Sequence, residues 1–193
     1  METLRGGIMI DIRTLEKYDL EDQKSLGKNG YTTNYRYVAT KDETADETTI
    51  RVKLEKLEEP YVTIWPSTKE DFENYDEIIP HGYSLGAYDG DKLVGVLIVE
   101  NRQWNNSLWI DEIEIADTHR GKGVGALLLN RLHDVAVKDG FRIIALEVQS
   151  TNYSAIKFYR KNGYELDGLD LSLYTNTDAL DGEVAFFMKR KLL

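Results

Sequence analysis

Hydrophobic and polar positions follow two regular patterns from residue 83 to the end of the chain. Alternating or continuous apolar runs predict strands, and apolar residues three or four positions apart predict helices. The predicted strands span 83–88, 92–100, 108–116, 141–149, 164–173 and 183–189, and the predicted helices span 124–138 and 154–162. An Asp89-Gly90 turn joins the first two strands as a hairpin. This order of elements predicts a mixed α/β sheet flanked by helices.

The first 80 residues carry a weaker pattern. They predict a strand at 8–13, a helix within 16–26, a strand or lid at 31–38, a polar loop at 41–49, one or two strands at 50–65, and a helix from 67 to 73. Ser67 is the expected cap of the last helix, with Glu70 in the capping-box position. The length of 193 residues predicts a single domain over 1–193, with its N-terminal third on the substrate side.

Residues 120–125, Arg-Gly-Lys-Gly-Val-Gly, follow a strand-like run and open an apolar helical run. A glycine turn between a strand and a helix N-terminus suits phosphate groups, because the first backbone N–H groups and the helix dipole favour negative charge. Gly123 and Gly125 lack side chains that would keep a ligand from the backbone. Arg120 and Lys122 add positive charge. The turn is therefore predicted to hold the pyrophosphate of a cofactor.

The spacing within this turn separates three cofactor classes. A P-loop needs Ser or Thr after its lysine, and none follows Lys122. A dinucleotide fingerprint, Gly-x-Gly-x-x-Gly, needs two residues before its last glycine, whereas only one residue separates Gly123 from Gly125. The remaining pattern, Arg-x-x-Gly-x-Gly, resembles the acetyl-CoA pyrophosphate loop of the GNAT acetyltransferases. Taken alone, the turn could instead be a glycine-rich loop with two solvated cations.

A second block, residues 152–164, resembles the second signature of the same family. It carries Asn152, then Ala155, then an aromatic residue followed by Tyr159, then Gly163 before an aromatic residue. Asn152 is a predicted helix N-cap and Gly163 a predicted C-cap. The resemblance spans about residues 83–190. It implies the GNAT fold, a mixed and mostly antiparallel sheet in which the fourth and fifth strands splay apart to admit the cofactor.

The resemblance also implies acetyl-CoA as co-substrate. Its pantetheine arm is expected to pair with the backbone of 113–115 as an added strand. The expected cofactor contacts are Ile113, Glu114, Ile115, Arg120, Gly121, Lys122, Gly123, Val124, Gly125, Asn152, Ala155 and Tyr159.

Composition narrows the chemistry. The absence of cysteine excludes a thiol nucleophile, disulfides and thiolate zinc sites, and three scattered histidines predict no metal. A net charge of -10 argues against a nucleic-acid partner and suits a cationic substrate, although acidity also serves solubility alone. Residues 1–7 lack an apolar signal core and no run has membrane-span length, which predicts a cytoplasmic protein without a membrane partner. A homodimer is left open.

Acetyl transfer to an amine needs a base for the amine and benefits from an acid for the departing thiolate. By resemblance Tyr159 is the acid, although its spacing alone would suit a core aromatic residue. Glu147 is the first candidate for the base, because it lies in an apolar strand that would raise its pKa. Its place twelve residues before Tyr159 resembles that of the catalytic glutamate of ribosomal-protein N-terminal acetyltransferases.

Asp111 is the second candidate for the base, since it matches the acidic position proposed in polyamine acetyltransferases. Glu112 and Glu114 are expected on the opposite strand face. Each of these carboxylates could instead face water, and a water relay could replace direct contact. Asp111, Glu112 and Glu147 are the predicted contacts of the amine substrate.

A finer resemblance concerns the acceptor. Residues 104–105, 110–113, 173–176 and 184–187 look like the streptothricin acetyltransferases, which acetylate an amine of a cationic antibiotic and confer resistance. Glu114 departs from that pattern, because alanine is usual there. The alternatives are a protein N-terminal or lysine acetyltransferase and a silent acetyl-CoA sensor.

Overall fold

The computed structural model describes residues 2–3, 9–65 and 68–192. Its strands are β1 (Glu2–Thr3), β2 (Met9–Thr14), β3 (Gly30–Glu43), β4 (Thr48–Ile64), β5 (Leu85–Asp89), β6 (Lys92–Arg102), β7 (Ser107–Ile115), β8 (Ile143–Gln149), β9 (Glu165–Asp170) and β10 (Ala185–Lys191). Its helices are α1 (Leu20–Leu26), α2 (Lys69–Ile78), α3 (Val124–Lys138), α4 (Tyr153–Lys161) and α5 (Asp178–Asp181).

The chain forms two compact units. Unit 1 comprises the described parts of 1–29, 65–145 and 191–193, and unit 2 comprises 30–64 and 146–190. The chain passes from the first to the second within β8. The single-domain organisation expected from the sequence stays a prediction.

Unit 1 is an antiparallel sheet with helices packed against it. Its strands pair in the order β1, β2, β5, β6, β7. The predicted β5–β6 hairpin is present, with Gly90 at a φ of 62° in its turn. Helix α3 has the predicted bounds, and its buried face consists of Val124, Gly125, Leu128, Leu129, Leu132 and Ala136.

A register shift interrupts the β6–β7 ladder. Ile98 pairs with Glu112 and Val99 pairs with Ile110, so Asp111 is an extra residue in β7. A bulge of this kind redirects side chains and breaks the simple alternation of faces. The expectation that Glu112 and Glu114 lie on the face opposite Asp111 assumed a regular strand, so it stays a prediction here.

Unit 2 contains the end of β8, the antiparallel β9–β10 pair and the β3–β4 hairpin. Helix α4 begins as predicted, because the Asn152 side chain accepts a hydrogen bond from the Ala155 N–H at 3.1 Å. The C-cap is Asn162 rather than Gly163, which follows it at a φ of 84°. Tyr164, Phe186 and Ile156 are buried in this unit.

The β3–β4 hairpin confirms a strand at 31–38 and corrects the loop expected at 41–49. The predicted lid or strand is the first half of a 14-residue strand, and the predicted loop at 41–49 is mostly strand. Only residues 44–47 turn, held by a hydrogen bond from the Thr44 N–H to the Glu47 carbonyl oxygen at 2.8 Å. Polar residues are tolerated in these strands because the end of the hairpin near its turn is exposed to water.

Other boundaries also shift. The expected strand start at Ile8 and the expected cap at Ser67 lie outside the described residues. Thr68 caps α2 with Asp71 as its capping-box partner, so Glu70 does not hold that position. Helix α1 begins only after Asp19, which caps it with Asp22. Helix α5 was not predicted. Within the described ranges, no helix is both long and apolar enough to cross a membrane.

Candidate active site

The N-terminus of α3 has the form expected of an anion site. Gly123 is its N-cap, with a φ of 102°, and no side chain among the described residues caps the helix. A residue with a side chain would be strained at this angle. The uncapped N–H groups and the helix dipole together favour a bound negative group.

Arg120 is held by neighbouring groups of the protein, and its expected contact with the cofactor stays a prediction. Its guanidinium donates to the carbonyl oxygens of Ile115 at 3.0 Å and Lys28 at 2.9 Å, and it pairs with Asp117 at 3.1 Å. These contacts fasten the loop to the end of β7 and to the segment after α1. Lys122 remains exposed in the turn, so it is the better source of positive charge for a ligand.

Glu114 is a buried carboxylate. Its side chain is 4% exposed, and its Oε2 accepts a hydrogen bond from the Tyr18 hydroxyl at 3.0 Å. Burial raises the pKa of Glu114, while this hydrogen bond and the charge of Arg120 oppose the rise. The Tyr18 hydroxyl therefore satisfies one of the two oxygens of this buried carboxylate.

Asp111 and Glu112 lie at the bulge. Asp111 is exposed as a residue, yet its carboxyl group is partly shielded from water. This desolvation raises the pKa of Asp111, and the charge of Glu100 raises it further. Glu112 is half-buried, and burial followed by the charges of Glu114 and Asp111 raises its pKa to about 7. The structure therefore brings three of the predicted carboxylates of unit 1 within electrostatic reach of one another.

Aromatic rings of α2 and the segment before α1 accompany these carboxylates. Tyr18 packs against Phe72 and Tyr75, with ring centroids 5.7 and 6.1 Å apart. Burial and the charge of Glu112 raise the pKa of Tyr75, so its hydroxyl stays protonated. Glu112 therefore has both carboxylates and a neutral tyrosine hydroxyl in its electrostatic surroundings.

Glu147 lies on β8 in unit 2, where it accepts a hydrogen bond from the Tyr174 hydroxyl. Burial raises the pKa of Glu147, the hydrogen bond from Tyr174 opposes the rise, and the charge of Glu183 adds to it. The sequence argument anticipated the raised pKa from the apolar strand, but it did not identify either neighbour.

Further polar residues extend this part of unit 2. Glu183 Oε1 accepts from the Thr151 hydroxyl at 3.1 Å and the Tyr61 hydroxyl at 3.4 Å. The Tyr31 hydroxyl lies 2.5 Å from Thr151 Oγ1 and donates to Gln149 Oε1 at 3.1 Å. Sequence reasoning missed all of these residues. The partners of Tyr31 and Tyr61 are more than 100 positions away along the chain. Glu183 was assigned to the predicted strand 183–189. Glu183 in fact precedes β10.

The second signature forms helix α4. The Asn152 side chain is occupied as the cap, and Ala155 is half-buried beside it. Tyr159 is 5% exposed, and its ring packs edge-to-face on Tyr164 with centroids 5.5 Å apart. Its assignment as the acid stays a prediction.

In the described ranges, no group of three or more His, Cys, Asp or Glu side chains could hold a metal ion.

The family of the chain follows from this arrangement and from comparison with known proteins. Residues 51–164 match the Acetyltransferase (GNAT) family, and the chain belongs to that family. The sequence prediction of a GNAT acetyltransferase with a mixed α/β fold is confirmed.

Comparisons with individual proteins point to a narrower group than the family as a whole. The streptothricin acetyltransferase of Streptomyces lavendulae is 43% identical over 105 residues, which are 54% of this chain and 54% of that protein. The match thus spans about half the length of this relative. The crystal structure of nourseothricin acetyltransferase has a TM-score of 0.70 and 30% identity, and the match covers 95% of this chain and 99% of that one.

A third comparison shows the fold alone. A Bacillus anthracis str. Ames protein solved in complex with acetyl coenzyme A has a TM-score of 0.69 at 21% identity, over 95% of this chain and 99% of that chain.

Proposed function

We propose that the protein is an acetyl-CoA-dependent N-acetyltransferase that acetylates a primary amine of a small cationic molecule, of the streptothricin type, and so confers resistance. The observation that carries this proposal is the likeness to nourseothricin acetyltransferase, which extends over nearly the whole of both chains at 30% identity. The carboxylates of the described site support a cationic acceptor, because opposite charge concentrates amines.

Acetyl-CoA is the proposed co-substrate, without a metal. Its pyrophosphate would accept hydrogen bonds from the amides of 120–125, and its pantetheine would pair with the backbone of 113–115. The uncapped N-terminus of α3 and the missing side chain at Gly123 fit this role. Lys122 would supply charge, and Arg120 would hold the loop in shape.

The proposed reaction is direct transfer. The neutral amine nitrogen attacks the thioester carbonyl carbon, the carbon–sulfur bond breaks, and the sulfur leaves with the bonding electron pair. The amine loses one proton to a carboxylate, directly or through water, and Tyr159 gives its proton to the thiolate. The thioester is already activated, so holding the reactants in place supplies much of the rate.

Glu147 remains our first candidate for the base, and Glu112 replaces Asp111 as its main rival. A base works best when its pKa lies near the working pH. Glu112 meets this condition with a pKa of about 7, and burial moves Glu147 in the same direction. Asp111 is more exposed and is better suited to attracting a cation.

The test is release of CoA from acetyl-CoA with streptothricin, polyamines, aminoglycosides and peptides as acceptors. We expect streptothricin to give the highest kcat/KM. Faster transfer to peptides would favour a protein acetyltransferase instead, and binding of acetyl-CoA without transfer to any amine would favour a sensor.

The base is tested in the same assay with Glu147→Gln, Glu112→Gln and Asp111→Asn. We expect Glu147→Gln to remove the acidic limb of the profile of kcat/KM against pH, and Asp111→Asn to raise KM for the amine. If Glu147→Gln keeps the full rate while Glu112→Gln loses the limb, Glu112 is the base. Two acceptors of different pKa separate the titration of the enzyme from that of the amine.

A cytoplasmic location and a homodimer both stay predictions. Light scattering during size-exclusion chromatography measures the oligomeric state, and cell fractionation measures the location.

A further inference from the structure

The loop between β9 and β10 presents the Tyr174 hydroxyl to Glu147. Tyr174 belongs to this loop, whereas Glu147 lies on β8, and the hydroxyl donates to Oε1 of the carboxylate. A loop residue keeps such a bond only while contacts within the loop fix its backbone, because ordering each residue costs conformational entropy. The contacts that fix the backbone at Tyr174 therefore decide whether the bond to Glu147 persists.

Asp178 binds this part of the backbone through its carboxylate. Its Oδ2 accepts a hydrogen bond from the Tyr174 N–H at 2.8 Å. Its Oδ1 accepts from the Thr175 N–H at 2.7 Å and from the Thr175 hydroxyl at 2.5 Å. Asp178 is only 2% exposed, so water competes little for these bonds. The three donors fold residues 174–178 around one buried carboxylate, and we call this segment the Asp178 turn.

The main chain of Asp178 joins the turn to the far end of the loop. Its carbonyl oxygen accepts hydrogen bonds from the Gly182 N–H at 2.9 Å and from the Glu183 N–H at 3.2 Å. Glu183 is thereby held in the same folded loop as Tyr174. One residue, through its side chain and its carbonyl group, therefore fixes both ends of the segment that faces β8.

Groups of β3 also act on this part of unit 2. Burial, followed by charges that include those of Glu183 and Glu147, raises the pKa of Tyr31, so its hydroxyl stays neutral. The Arg36 guanidinium stands against Gly182, the residue before Glu183. Glu147 and the end of the loop therefore have titratable and charged neighbours on β3 as well as within the loop itself.

The bond from Tyr174 gives the Asp178 turn a means of acting on the chemistry. A hydrogen bond to the ionised form of an acid lowers its pKa, and this bond opposes the rise that burial and the charge of Glu183 cause at Glu147. A carboxylate must be ionised before it can accept a proton from an amine. The bond therefore extends to lower pH the range in which Glu147 can act as a base.

We propose that Asp178 is a positioning residue, which folds residues 174–178 so that the Tyr174 hydroxyl is held on the carboxylate that takes the proton of the amine. This inference rests on the proposed function, because it assigns that carboxylate to Glu147. It gives the first residue of α5, a helix that the sequence did not predict, a role in the reaction.

The test measures the pKa of Glu147 directly, by NMR of the glutamate carboxyl carbons in the full chain, with Glu147→Gln to assign the signal. Asp178→Asn replaces one carboxylate oxygen with an amide group that cannot accept a backbone N–H. We expect the pKa of Glu147 to rise by about 1 in Asp178→Asn and in Tyr174→Phe, because both lose the bond that lowers it. Adding Asp178→Asn to Tyr174→Phe should cause no further rise, since Asp178 acts through that hydroxyl.

Asp170→Asn is the matched control in the same loop. The Asp170 side chain also holds a turn, because its Oδ1 accepts from the Ser172 N–H at 2.9 Å and from the Ser172 hydroxyl at 3.4 Å. The chemical change is identical, but this turn does not include Tyr174. Asp170→Asn should therefore leave the pKa of Glu147 unaltered.

A second variant guards against unfolding of the loop. Thr175→Val removes one donor to Asp178 and keeps the shape of the side chain, so we expect a smaller rise in the pKa of Glu147. Unfolding of the loop would instead expose Glu147 to water and lower its pKa towards the ordinary value of 4.5.

The sign of the change therefore separates loss of the bond from loss of the fold. If Asp178→Asn unfolds the loop, a rise in Thr175→Val supports the proposal, and an unchanged or lower pKa there overturns it. In folded Asp178→Asn, an unchanged pKa of Glu147 would also overturn the proposal. So would an equal rise when Asp178→Asn is added to Tyr174→Phe.

Failure of the proposed function is recognised separately, because the pKa measurement needs no acetyl transfer. In the CoA-release assay, the acidic limb of kcat/KM should move to higher pH in Asp178→Asn together with the pKa of Glu147. Transfer to amines with an unmoved limb in folded Asp178→Asn would overturn only the inference. A pKa of Glu147 that responds as expected, without transfer to any amine, would instead overturn the proposed function.

Discussion

The raised pKa of Glu112 predicts that this residue lowers the stability of the folded protein at neutral and alkaline pH. The pKa rises from its ordinary value of 4.5 to about 7, because burial and the charges of Glu114 and Asp111 disfavour the carboxylate. The folded state therefore holds this proton more tightly than the unfolded state. The resulting stabilisation is complete below the unfolded pKa and is lost as the pH rises through about 7.

The size of the effect follows from the two pKa values. At roughly 1.4 kcal/mol for each pH unit, the full cost of ionising Glu112 in the folded state is about 3 kcal/mol. Glu112 is half-buried, so solvent screening makes this an upper bound. About 2 kcal/mol of it develops between pH ~5.5 and ~8, a range that lies above the isoelectric point near 4.8.

The assay is urea denaturation of the wild type and Glu112→Gln across that range. Because the amide cannot ionise, the gain in unfolding free energy from Glu112→Gln should grow with pH, by up to about 2 kcal/mol. Glu77→Gln makes the same chemical change at an exposed position of α2 and should leave the pH dependence unaltered. A gain that is the same at every pH would refute the electrostatic reasoning.

Three further predictions concern the cofactor and the proton transfers. Gly123→Asp should abolish acetyl-CoA binding in calorimetry, because a side chain and a negative charge would meet the phosphates. The control Gly90→Asp should bind normally, and unchanged affinity in folded Gly123→Asp would count against the loop assignment. Tyr159→Phe should lower kcat by roughly tenfold to a thousandfold with little change in acetyl-CoA affinity, and an unaltered kcat would leave Tyr159 a packing role. Tyr174→Phe should move the acidic limb of kcat/KM to higher pH, because the hydrogen bond that lowers the pKa of Glu147 is lost; a limb that stays in place would argue against Glu147 as the base.

Local sequence patterns predicted the elements in which buried residues recur at regular intervals along the chain. Helix α3 has the predicted bounds because its apolar stripe packs on a sheet. The β5–β6 hairpin also matches, since Asp89-Gly90 provides the turn that two adjoining strands need. Asn152 caps α4 for a similarly local reason, a hydrogen bond to an amide three residues away.

The parts that the sequence could not predict depend on contacts between distant residues. The bulge at Asp111 exists only in relation to the register of β6. Residues 41–49 continue the hairpin because each strand pairs with the other, although their exposed side chains carry no burial pattern. Tyr31 and Thr151 are in hydrogen-bond contact across 120 positions of sequence. The hydrogen bonds of Tyr31 and Tyr61 to residues in the C-terminal part of the chain therefore have no local pattern from which they could have been found.

The turn of the β3–β4 hairpin offers a chemical handle on the molecule. Asp46 is exposed there, and the chain contains no cysteine, so Asp46→Cys would create the only thiol in the sequence. Twelve strand positions separate Tyr31 from the end of β3 at Glu43, which corresponds to up to ~40 Å of extended chain. A dye or surface linker attached at residue 46 would therefore stand well away from Tyr31 along the hairpin, and the protein could be immobilised or followed in single-molecule experiments through one defined attachment point.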